Sequence, residues 1–421
     1  MSVTYTFSYP NAFTGDVLAG ELEIKDDLAF DHKMYTSINY INKLLAQTTL
    51  YPRFRIFSLN PDETTRTLIP NNDIILGGSY SENYQNGQRR SLSFTLINED
   101  GKYNPNINSI WINNKFLLEI GLQIPDTEGI IWFKKGVFTL SSASPSRTKD
   151  QKTVSIECND KFVILDGKSG VIDTALEIPS GTDIKSIIKD ILSSNTGTGY
   201  MRDYQDLIYH SSFEGKKTPL TISMNAGQTY GDLLSQLAEI LSAEIFYNSN
   251  GNLTVVPTSE VIQDGDKPVI YNYSLQDCNF QNEDFSIGMT EFINQVVVIG
   301  ANVNGHTCMA VAKNDDPASP LCYQRIGLRT SIINDSNITN DILAQERADY
   351  ELRKVLIAKS NLSSSVFLNP LLSVNNIITY SDDFYQLTRE RFLIQSINIQ
   401  LNYDGIMSIT ASNINNLPFV I

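Results

Sequence analysis

Short segments in which apolar and polar residues alternate fill the sequence between Tyr51 and Leu165. In the segment 91–98, Leu92, Phe94 and Leu96 fall on one face of an extended chain, the pattern of a strand with one buried side. Each segment is about five to eight residues long and is bounded by Gly, Pro, Asn or Asp, which favour turns. Asn86-Gly87, between two of these segments, predicts a hairpin. Many short strands with little helix between them predict an antiparallel barrel or sandwich. We expect residues 51–167 to form a first β-barrel.

A second strand-rich region lies near the C-terminus. A charged helix, predicted over 338–359, is followed by strands around an Asn369-Pro370 turn and by a hairpin at Asp404-Gly405, a dipeptide that favours tight hairpins. The stripe on this helix is narrow and rich in alanine, so we expect the helix to lie flat on the strands that follow it. The nearly all-apolar run at 294–300 predicts a central strand buried on both faces. Residues 263–421 are therefore expected to form a second barrel that carries the helix.

Between these regions the pattern changes from period two to helical. Apolar residues at helical spacing follow a possible cap at Thr182, and Thr229 with Asp232 forms a capping-box sequence for a second helix. A hairpin follows at Asn250-Gly251. We expect an α+β insert domain at 168–262. Residues 1–50 show no clear pattern and are expected to form an N-terminal arm or extension.

Composition limits the class of protein. The formal net charge is −15, which argues against a protein that wraps nucleic acid, because that requires clustered Lys and Arg. The sequence shows no secretory signal and no apolar run approaching the ~18 residues that span a bilayer, so we expect a soluble chain and no membrane partner. Four scattered cysteines, Cys158, Cys278, Cys308 and Cys322, fit buried thiols better than a disulfide framework.

Signatures of catalysis and of metal or cofactor binding are weak. The sequence contains no phosphate-binding glycine motif, no HExxH and no GxSxG. His306, Cys308 and Cys322 contain two of the residue types that bind zinc, but a tetrahedral site needs four convergent ligands. Paired acids such as Asp382-Asp383 occur in turn-rich segments, where solvated side chains are the usual finding. We therefore expect no enzyme activity, no catalytic or metal site and no cofactor.

Several passages, in this order and spacing, resemble the baseplate hub proteins of contractile phage tails and phage-tail-like particles, and the hub part of type VI secretion spike proteins. They are LINEDGKYNPN with FLLEIGL, WFKKGVFTLSSAS and VSIECNDKFVILDG; QTYGDLLSQLAEILSAEIFYNSNGNLTVVP in the insert; and NQVVVIGANVNG, AQERADYELRKVLIAKSNLSSSVFLNPLLSVNNIITY and RFLIQSINIQLNYDGIMSITA near the C-terminus. Together they cover most of residues 52–415.

The resemblance implies a mainly β fold: two tail-tube-like antiparallel β-barrels in one chain, each with a packed helix or extension, and a small α+β domain between them. It implies a homotrimer whose six barrels join the sixfold tail tube to the threefold central spike around a channel for the genome. The implied partners are a tail tube protein or distal tube adaptor, a central spike protein and baseplate wedge proteins, without sequence-specific binding of nucleic acid. The implied location is the tail baseplate of a virion or tail-like particle, after assembly in the host cytoplasm.

Three further expectations follow. Three copies carry 3 × −15 = −45, so an acidic channel wall that repels DNA is a hypothesis. No lysozyme-like or peptidase domain follows the second barrel, so wall-degrading activity is expected from a separate protein. The candidate subunit interface is the helix face that carries Arg347, Tyr350, Glu351 and Lys354, which we expect to contact a neighbouring barrel. The alternatives are a receptor- or carbohydrate-binding β-protein at the tail tip and a wall-degrading hydrolase.

Overall fold

The structure is a computed structural model. It describes residues 2–10, 17–25, 32–47, 50–104, 114–127, 129–193, 201–257, 268–274, 280–287, 292–303, 305–319, 321–336, 338–357, 360–385 and 387–414.

The described residues form strands and helices with the following bounds. The strands are β1 (Ser2–Pro10), β2 (Val17–Lys25), β3 (Pro52–Leu59), β4 (Arg66–Leu68), β5 (Ile74–Asn83), β6 (Arg90–Ile97), β7 (Lys115–Gln123), β8 (Ile130–Arg147), β9 (Lys152–Asp160), β10 (Leu176–Ile178), β11 (Ile208–Tyr209), β12 (Ile222–Met224), β13 (Ala243–Tyr247), β14 (Leu253–Pro257), β15 (Val269–Ser274), β16 (Phe280–Ile287), β17 (Gln295–Val303), β18 (His306–Lys313), β19 (Thr330–Asn334), β20 (Ser360–Phe367), β21 (Ile377–Asp382), β22 (Leu387–Leu401) and β23 (Ile406–Asn413). The helices are α1 (His32–Tyr35), α2 (Ile38–Leu45), α3 (Ile184–Ser193), α4 (Tyr230–Leu241), α5 (Tyr323–Ile326) and α6 (Asp341–Ile357).

One 15-stranded sheet dominates the fold, which confirms the mainly β class expected from the alternating sequence. Its strands lie in the order β16-β20-β23-β22-β5-β6-β9-β8-β7-β3-β4. Strand β21 also pairs with β22 and carries β15 on its other side, and β2 pairs with β8 and carries β1. The hairpins predicted at Asn86-Gly87, Asn250-Gly251 and Asp404-Gly405 are all present, and each glycine has a positive φ. No helix in the described part of the chain is long and apolar enough to cross a membrane.

The large sheet contains one strand arrangement twice. The first unit is β3, β5, β6, β7, β8 and β9, and the second unit is β15, β16, β20, β21, β22 and β23. When each unit is numbered one to six along the chain, both have the spatial order one-four-five-six-three-two. A bulge also occurs at the same place in the fifth strand, between Leu140 and Ser142 in β8 and between Ile394 and Ser396 in β22. The units differ in one pairing: β3 and β7 are antiparallel, whereas β15 and β21 are parallel.

The two units are fused rather than merely adjacent. Strand β5 of the first unit pairs antiparallel with β22 of the second unit, from Ser396 opposite Asn83 to Leu401 opposite Gly78. One hydrophobic cluster contains buried side chains of both units. The buried Lys135 of β8 also donates from Nζ to the carbonyl oxygens of Pro370 (3.1 Å) and Leu372 (2.8 Å) in the second unit. The sheet, the core and this buried cation hold both units in one fixed arrangement.

The insert is an α+β domain with its own core, in which α3 and α4 bury their apolar stripes beside the hairpin β13–β14. The capping box of Thr229 and Asp232 is present at the start of α4. At α3 the cap differs from the prediction: the Asp183 side chain, not Thr182, accepts from the N–H of Ser186 at 2.9 Å. A carboxylate offers a stronger acceptor there and interacts favourably with the helix dipole.

Helix α6 packs on the small sheet β18-β17-β19, with its stripe of Ala344, Ala348, Leu352 and Leu356 buried against β17 and β18. The expectation that it lies on the strands that follow it is therefore wrong. The helix covers only one face of this sheet. Val296 and Val298 are consequently buried, while Val297 and Ile299 are partly exposed. The segment 294–300 is therefore a central strand of its sheet, as predicted, but it is not buried on both faces.

The N-terminal region is attached to the first unit. Strands β1 and β2 form a hairpin, and β2 pairs with the N-terminal end of β8, over Ile130–Phe133. The nearly buried Arg55 of β3 bonds Glu119 of β7, and also Glu21 (2.7 Å) and Glu23 (3.0 Å) of β2, while it stacks on Trp132 at 4.2 Å from the ring centroid. This cation holds the hairpin on the barrel-like sheet.

Candidate functional site

The outer face of the large sheet is a continuous polar surface that crosses both units. Because successive side chains of a strand point to opposite faces, the residues that alternate with the core positions all lie on this surface. We call the exposed or partly exposed polar residues of this face, taken from seven of its strands, the polar wall. Its members are Ser363 and Ser365 of β20, Ser408 and Thr410 of β23, Ser396, Asn398 and Gln400 of β22, Ser79, Ser81 and Asn83 of β5, Ser91, Ser93 and Thr95 of β6, Thr153, Ser155, Glu157 and Asn159 of β9, and Ser142, Ser144 and Ser146 of β8.

The strand register aligns these residues in rows. One row runs across six strands, each residue opposite the next, through Ser365, Ser408, Asn398, Ser81, Ser91 and Asn159. At a strand spacing of about 4.8 Å this row is roughly 24 Å wide. The row passes through the junction between the units without a break, so the wall belongs to the chain as a whole.

Small hydroxyl groups satisfy one another along the wall. The Oγ atoms of Ser79 and Ser93 lie 2.9 Å apart, and those of Ser81 and Ser91 lie 2.7 Å apart. Such cross-strand pairs stabilise a sheet modestly and leave the remaining lone pairs and protons for water. The wall is therefore built mostly from short side chains whose remaining hydrogen-bonding groups can bind water.

The wall carries little formal charge. Glu157 is the ionisable residue of the set, and it accepts a hydrogen bond from Ser142 Oγ at 3.0 Å. The exposed Asp284 of the edge strand β16 lies opposite Ser363 and adds a second carboxylate on the same face. No lysine or arginine belongs to the set. Lys and Arg supply the sequence-independent part of DNA affinity, because they neutralise phosphates and release counterions. A surface of this composition can hydrogen-bond a polyanion transiently but does not hold it.

A buried carboxylate fixes the insert against both units. Glu244 of β13 accepts from the hydroxyl of Tyr84 (2.9 Å) and from Arg89 Nη2 (2.9 Å), both in the first unit. The same carboxylate accepts from Asn375 Nδ2 of the second unit, at 3.1 and 3.0 Å. Glu244 and the Arg89 side chain are each 2% exposed. This junction fixes the three parts relative to one another and so supports the wall.

A second carboxylate supports the turn that leads from the first unit into the insert. Asp160 accepts from the backbone N–H groups of Arg89 (2.7 Å), Arg90 (2.9 Å) and Phe162 (3.0 Å). Burial raises the pKa of Asp160, and the three N–H donors oppose that rise. The next residue, Lys161, bonds Asp203 at 2.7 Å, and burial lowers its pKa.

Most of the predicted interface residues on α6 contact other residues of the same chain. The side chain of Arg347 is 15% exposed; it bonds Glu351 at 3.0 Å and approaches Glu239 of α4 at 3.9 Å. Tyr350 is partly buried and lies beside Arg347 at 5.7 Å from guanidinium carbon to ring centroid. The backbone of Lys354 lies in α6, but its side chain falls outside the described residues. The structure brings Arg347, Tyr350 and Glu351 together, and their contact with a neighbouring unit stays a prediction.

A small cleft lies between α4 and α6. Its volume is about 40 Å³, and Glu239, Ile240, Leu343 and Arg347 contribute to its lining. Binding pockets for drug-sized molecules have volumes of about 300–1,000 Å³. This cleft has room for water rather than for a substrate.

The candidate metal trio does not form a cluster. Cys308 and Cys322 are buried free thiols, whereas His306 is exposed and lies 3.1 Å from Asp341, whose pKa is lowered by the N–H of Met309 and by His306. Among the residues that the structure describes, no group of three His, Cys, Asp or Glu side chains is placed to hold a metal ion. Cys278 lies outside the described residues.

Sequence reasoning missed the polar wall and the Glu244 junction. The wall had a visible signal, since small polar residues recur at every second position in segments 91–95 and 361–365. That pattern predicts an exposed strand face but not that seven strands share it. The junction had no local signal, because Tyr84, Glu244 and Asn375 are distant in sequence.

No protein-family model matches the chain, and no curated protein matches it by sequence. Several solved structures are similar to it in fold. The tail protein from Neisseria meningitidis MC58 has a TM-score of 0.58 at 13% identity, covering 86% of this chain and 97% of its own. The 43 kDa tail protein of prophage MuSo2 from Shewanella oneidensis has 0.53 at 16% identity, covering 86% and 98%. A Francisella PdpA–VgrG complex has 0.52 at 14% identity, covering 92% of this chain and 56% of that one. The resemblance inferred from the sequence is confirmed at the level of fold: this chain has the fold of phage tail proteins.

Proposed function

We propose that the chain is a structural hub of a phage tail or tail-like particle. In this proposal three copies form a ring that joins a sixfold tail tube to a threefold spike and encloses a channel for the genome. The observation that carries it is the repeated unit: two copies of one strand arrangement share a single sheet, so three chains present six equivalent units. A protein with that arrangement can meet sixfold symmetry on one side and threefold symmetry on the other.

The polar wall supports the channel. A surface that DNA passes must be wettable and must not bind phosphate, and the wall offers hydroxyl and amide groups with no Lys or Arg in the set. The hypothesis of a strongly acidic wall is refined in this proposal: the wall is weakly acidic, with the carboxylates of Glu157 and of Asp284, which lies opposite Ser363. Electrostatic repulsion is then a minor part of the mechanism, and the lack of adhesion is the major part.

The role proposed is mechanical and not enzymatic. The named neighbours of this fold include tail proteins and a VgrG complex, which supports assembly with tube, spike and wedge components at the tail baseplate.

The mass of the purified protein in solution tests the hub. Sedimentation or native mass spectrometry, with concentration and a short tube segment varied, should give three copies, and imaging should show a ring with a central opening. A monomer under all these conditions, including with the tube protein present, contradicts the proposal.

A further inference from the structure

The repeat makes the positions of the two units comparable residue by residue. The bulges align Ser142 with Ser396, so Ser144 corresponds to Asn398 and Ser146 to Gln400. The second strands can be aligned through their pairing partners in the third strands. Ser79 of β5 lies opposite Ser93 of β6, and Asp284 of β16 lies opposite Ser363 of β20. Because Ser93 and Ser363 are equivalent positions, Ser79 corresponds to Asp284. The ladders between the second, third, fifth and sixth strands of the two units all fit this correspondence.

One junction between units exists inside the chain. It joins the fifth strand of the second unit, β22, to the second strand of the first unit, β5. Strand β5 lies along the part of β22 that continues beyond its neighbour β21. Gln400 lies opposite Ser79 in this ladder.

The complementary strands have open edges. Beyond Thr139, where its pairing with β7 ends, β8 continues to Arg147 and is paired on one side by β9. Among the described strands nothing pairs with its other side. Strand β16 is likewise paired only by β20 within the described residues. These are the fifth strand of the first unit and the second strand of the second unit, the same two positions that meet in the internal junction.

We propose that β8 of one copy pairs antiparallel with β16 of the next copy, in the register of the β22–β5 junction. Ala143 then lies opposite Ile287, Ser144 opposite Ser286, Pro145 opposite Phe285, Ser146 opposite Asp284 and Arg147 opposite Glu283. This inference rests on the proposed hub and names its subunit contact.

Charge and strand chemistry favour this partner. The end of the β8–β9 hairpin carries the exposed Arg147 and Lys149, whereas the sequence of β16 includes the acidic pair Glu283-Asp284. The pairing places basic and acidic residues of two copies at one junction, which matters for a chain of net charge −15. The polar wall also continues across the junction, since Ser144 and Ser146 belong to it and Asp284 is exposed.

Pro145 is the residue that this arrangement must accommodate. Its equivalent in the second unit is Ile399. The carbonyl of Gln395 points across the internal junction, where it accepts from Tyr84 N–H at 2.7 Å. Since the backbone groups of every second residue point to the same side of a strand, those of Ile399 also point across the junction. By that alternation the missing N–H of Pro145 points to the open edge, where a proline is tolerated in a sheet. The ladder between copies loses one hydrogen bond, and the open edge is protected against indiscriminate pairing before assembly.

Engineered disulfides test the register. In the proposed register, Ser146 of one copy lies directly opposite Asp284 of the next. Residues that lie opposite each other in an antiparallel ladder have a Cα separation of about 4.5–5.5 Å, which a disulfide spans. The full-length variant Ser146→Cys/Asp284→Cys, oxidised at concentrations where the wild type is trimeric, should give covalent species that end at three chains. Gln151→Cys/Asp284→Cys, on the same hairpin but outside the register, should remain uncrosslinked.

The outcomes separate the contact from the hub. A trimer by mass that gives no Ser146–Asp284 crosslink overturns the proposed pairing and leaves the hub standing. Crosslinked ladders beyond three chains support the pairing and contradict the trimer. A protein that is monomeric by mass and does not crosslink, with tube protein present, overturns both.

A charge exchange gives an independent reading. Ser146→Asp places two acids opposite each other and should weaken self-association about fivefold per junction, as measured by sedimentation equilibrium. Adding Asp284→Lys in the same chain should restore the association, whereas Gln151→Asp should leave it unchanged. Weakening by Gln151→Asp equal to that by Ser146→Asp, or no recovery in the double variant, contradicts the register.

Discussion

At the residue scale, buried charges hold the molecule in shape. Glu244 accepts hydrogen bonds from both units, and Arg55 joins the N-terminal hairpin to β3 and β7. Neither role is readable from the sequence, because acids and arginines in alternating strands are normally solvated. Burial depends on which strand lies beside them, and that is a long-range property of the fold.

Removing Glu244 should be costly. Glu244→Ala leaves Arg89 buried without this carboxylate and should lower the free energy of unfolding by about 3–5 kcal/mol, as measured by denaturant titration. Glu177→Ala, an exposed acid of the same insert, should change it by less than about 0.5 kcal/mol. Equal effects of the two substitutions contradict the junction.

The pH dependence of stability should carry the signature of Glu119. Burial, as the largest cause, raises the pKa of Glu119 above its ordinary 4.5, although Arg55 opposes this. The folded state then binds the proton more tightly than the unfolded state, so this group makes stability fall as pH rises from about 4.5 through the raised pKa. Glu119→Gln should remove that contribution, so the stability difference from wild type should shift in favour of the variant as pH rises through this window.

Urea titrations of both proteins, repeated from about pH 4 to pH 7, measure that difference while the other titrating groups cancel. A difference independent of pH contradicts the assignment to Glu119.

At the element scale, local sequence patterns predicted helices, caps and hairpins correctly, but they did not predict which elements pack against each other. The stripe on α6, the capping box of α4 and the three Asn-Gly or Asp-Gly hairpins all lie where the sequence predicts them. The sheet beneath α6 was predicted wrongly, because an apolar stripe shows which side of a helix is buried but not what buries it. The β17–β19 sheet and α6 instead lie in sequence between β16 and β20, the second and third strands of the second unit.

Arg347 should stabilise helix α6 mainly through its ion pair with Glu351 of the same helix. Arg347→Ala leaves the nearly buried Glu351 without its ion pair and should destabilise the protein by about 1–3 kcal/mol, as measured by thermal or chemical unfolding. Glu239→Gln, which changes an acid that is half exposed at 3.9 Å from the same guanidinium, should cost less than about 1 kcal/mol. A larger loss from Glu239→Gln contradicts the assignment of Glu351 as the main partner.

At the scale of the whole molecule, the sequence indicated two strand-rich regions and an insert, but not how the regions join. The β5–β22 ladder couples residues more than 300 positions apart, from Asn83 opposite Ser396 to Gly78 opposite Leu401. Strand pairing at that separation leaves no periodic trace. The shared polar wall depends on this ladder and was hidden for the same reason.

The wall should acquire DNA affinity when it is given cations. Ser81→Lys, Ser91→Lys and Asn398→Lys in one chain align three positive charges in one row. The assembled variant should bind duplex DNA with an affinity that falls steeply with salt, whereas wild type should not bind. Fluorescence anisotropy over a salt series measures this.

Asn71→Lys/Asn72→Lys, at exposed positions in the turn that precedes β5 and outside the wall, provides the control and should bind more weakly. Tight binding by wild type, or equal binding by the control, contradicts a wall selected to be non-adhesive.

The two open edges on β8 and β16 have one more consequence. A contact that uses different surfaces on the two partners is head-to-tail, and such a contact closes into a ring only if the rotation per copy divides a full turn. The rigid fusion of the two units by β5–β22, Lys135 and Glu244 sets that rotation within each chain. Substitutions at these internal joints, far from any subunit contact, should therefore change closed rings into open helical filaments, with the pairing between copies intact.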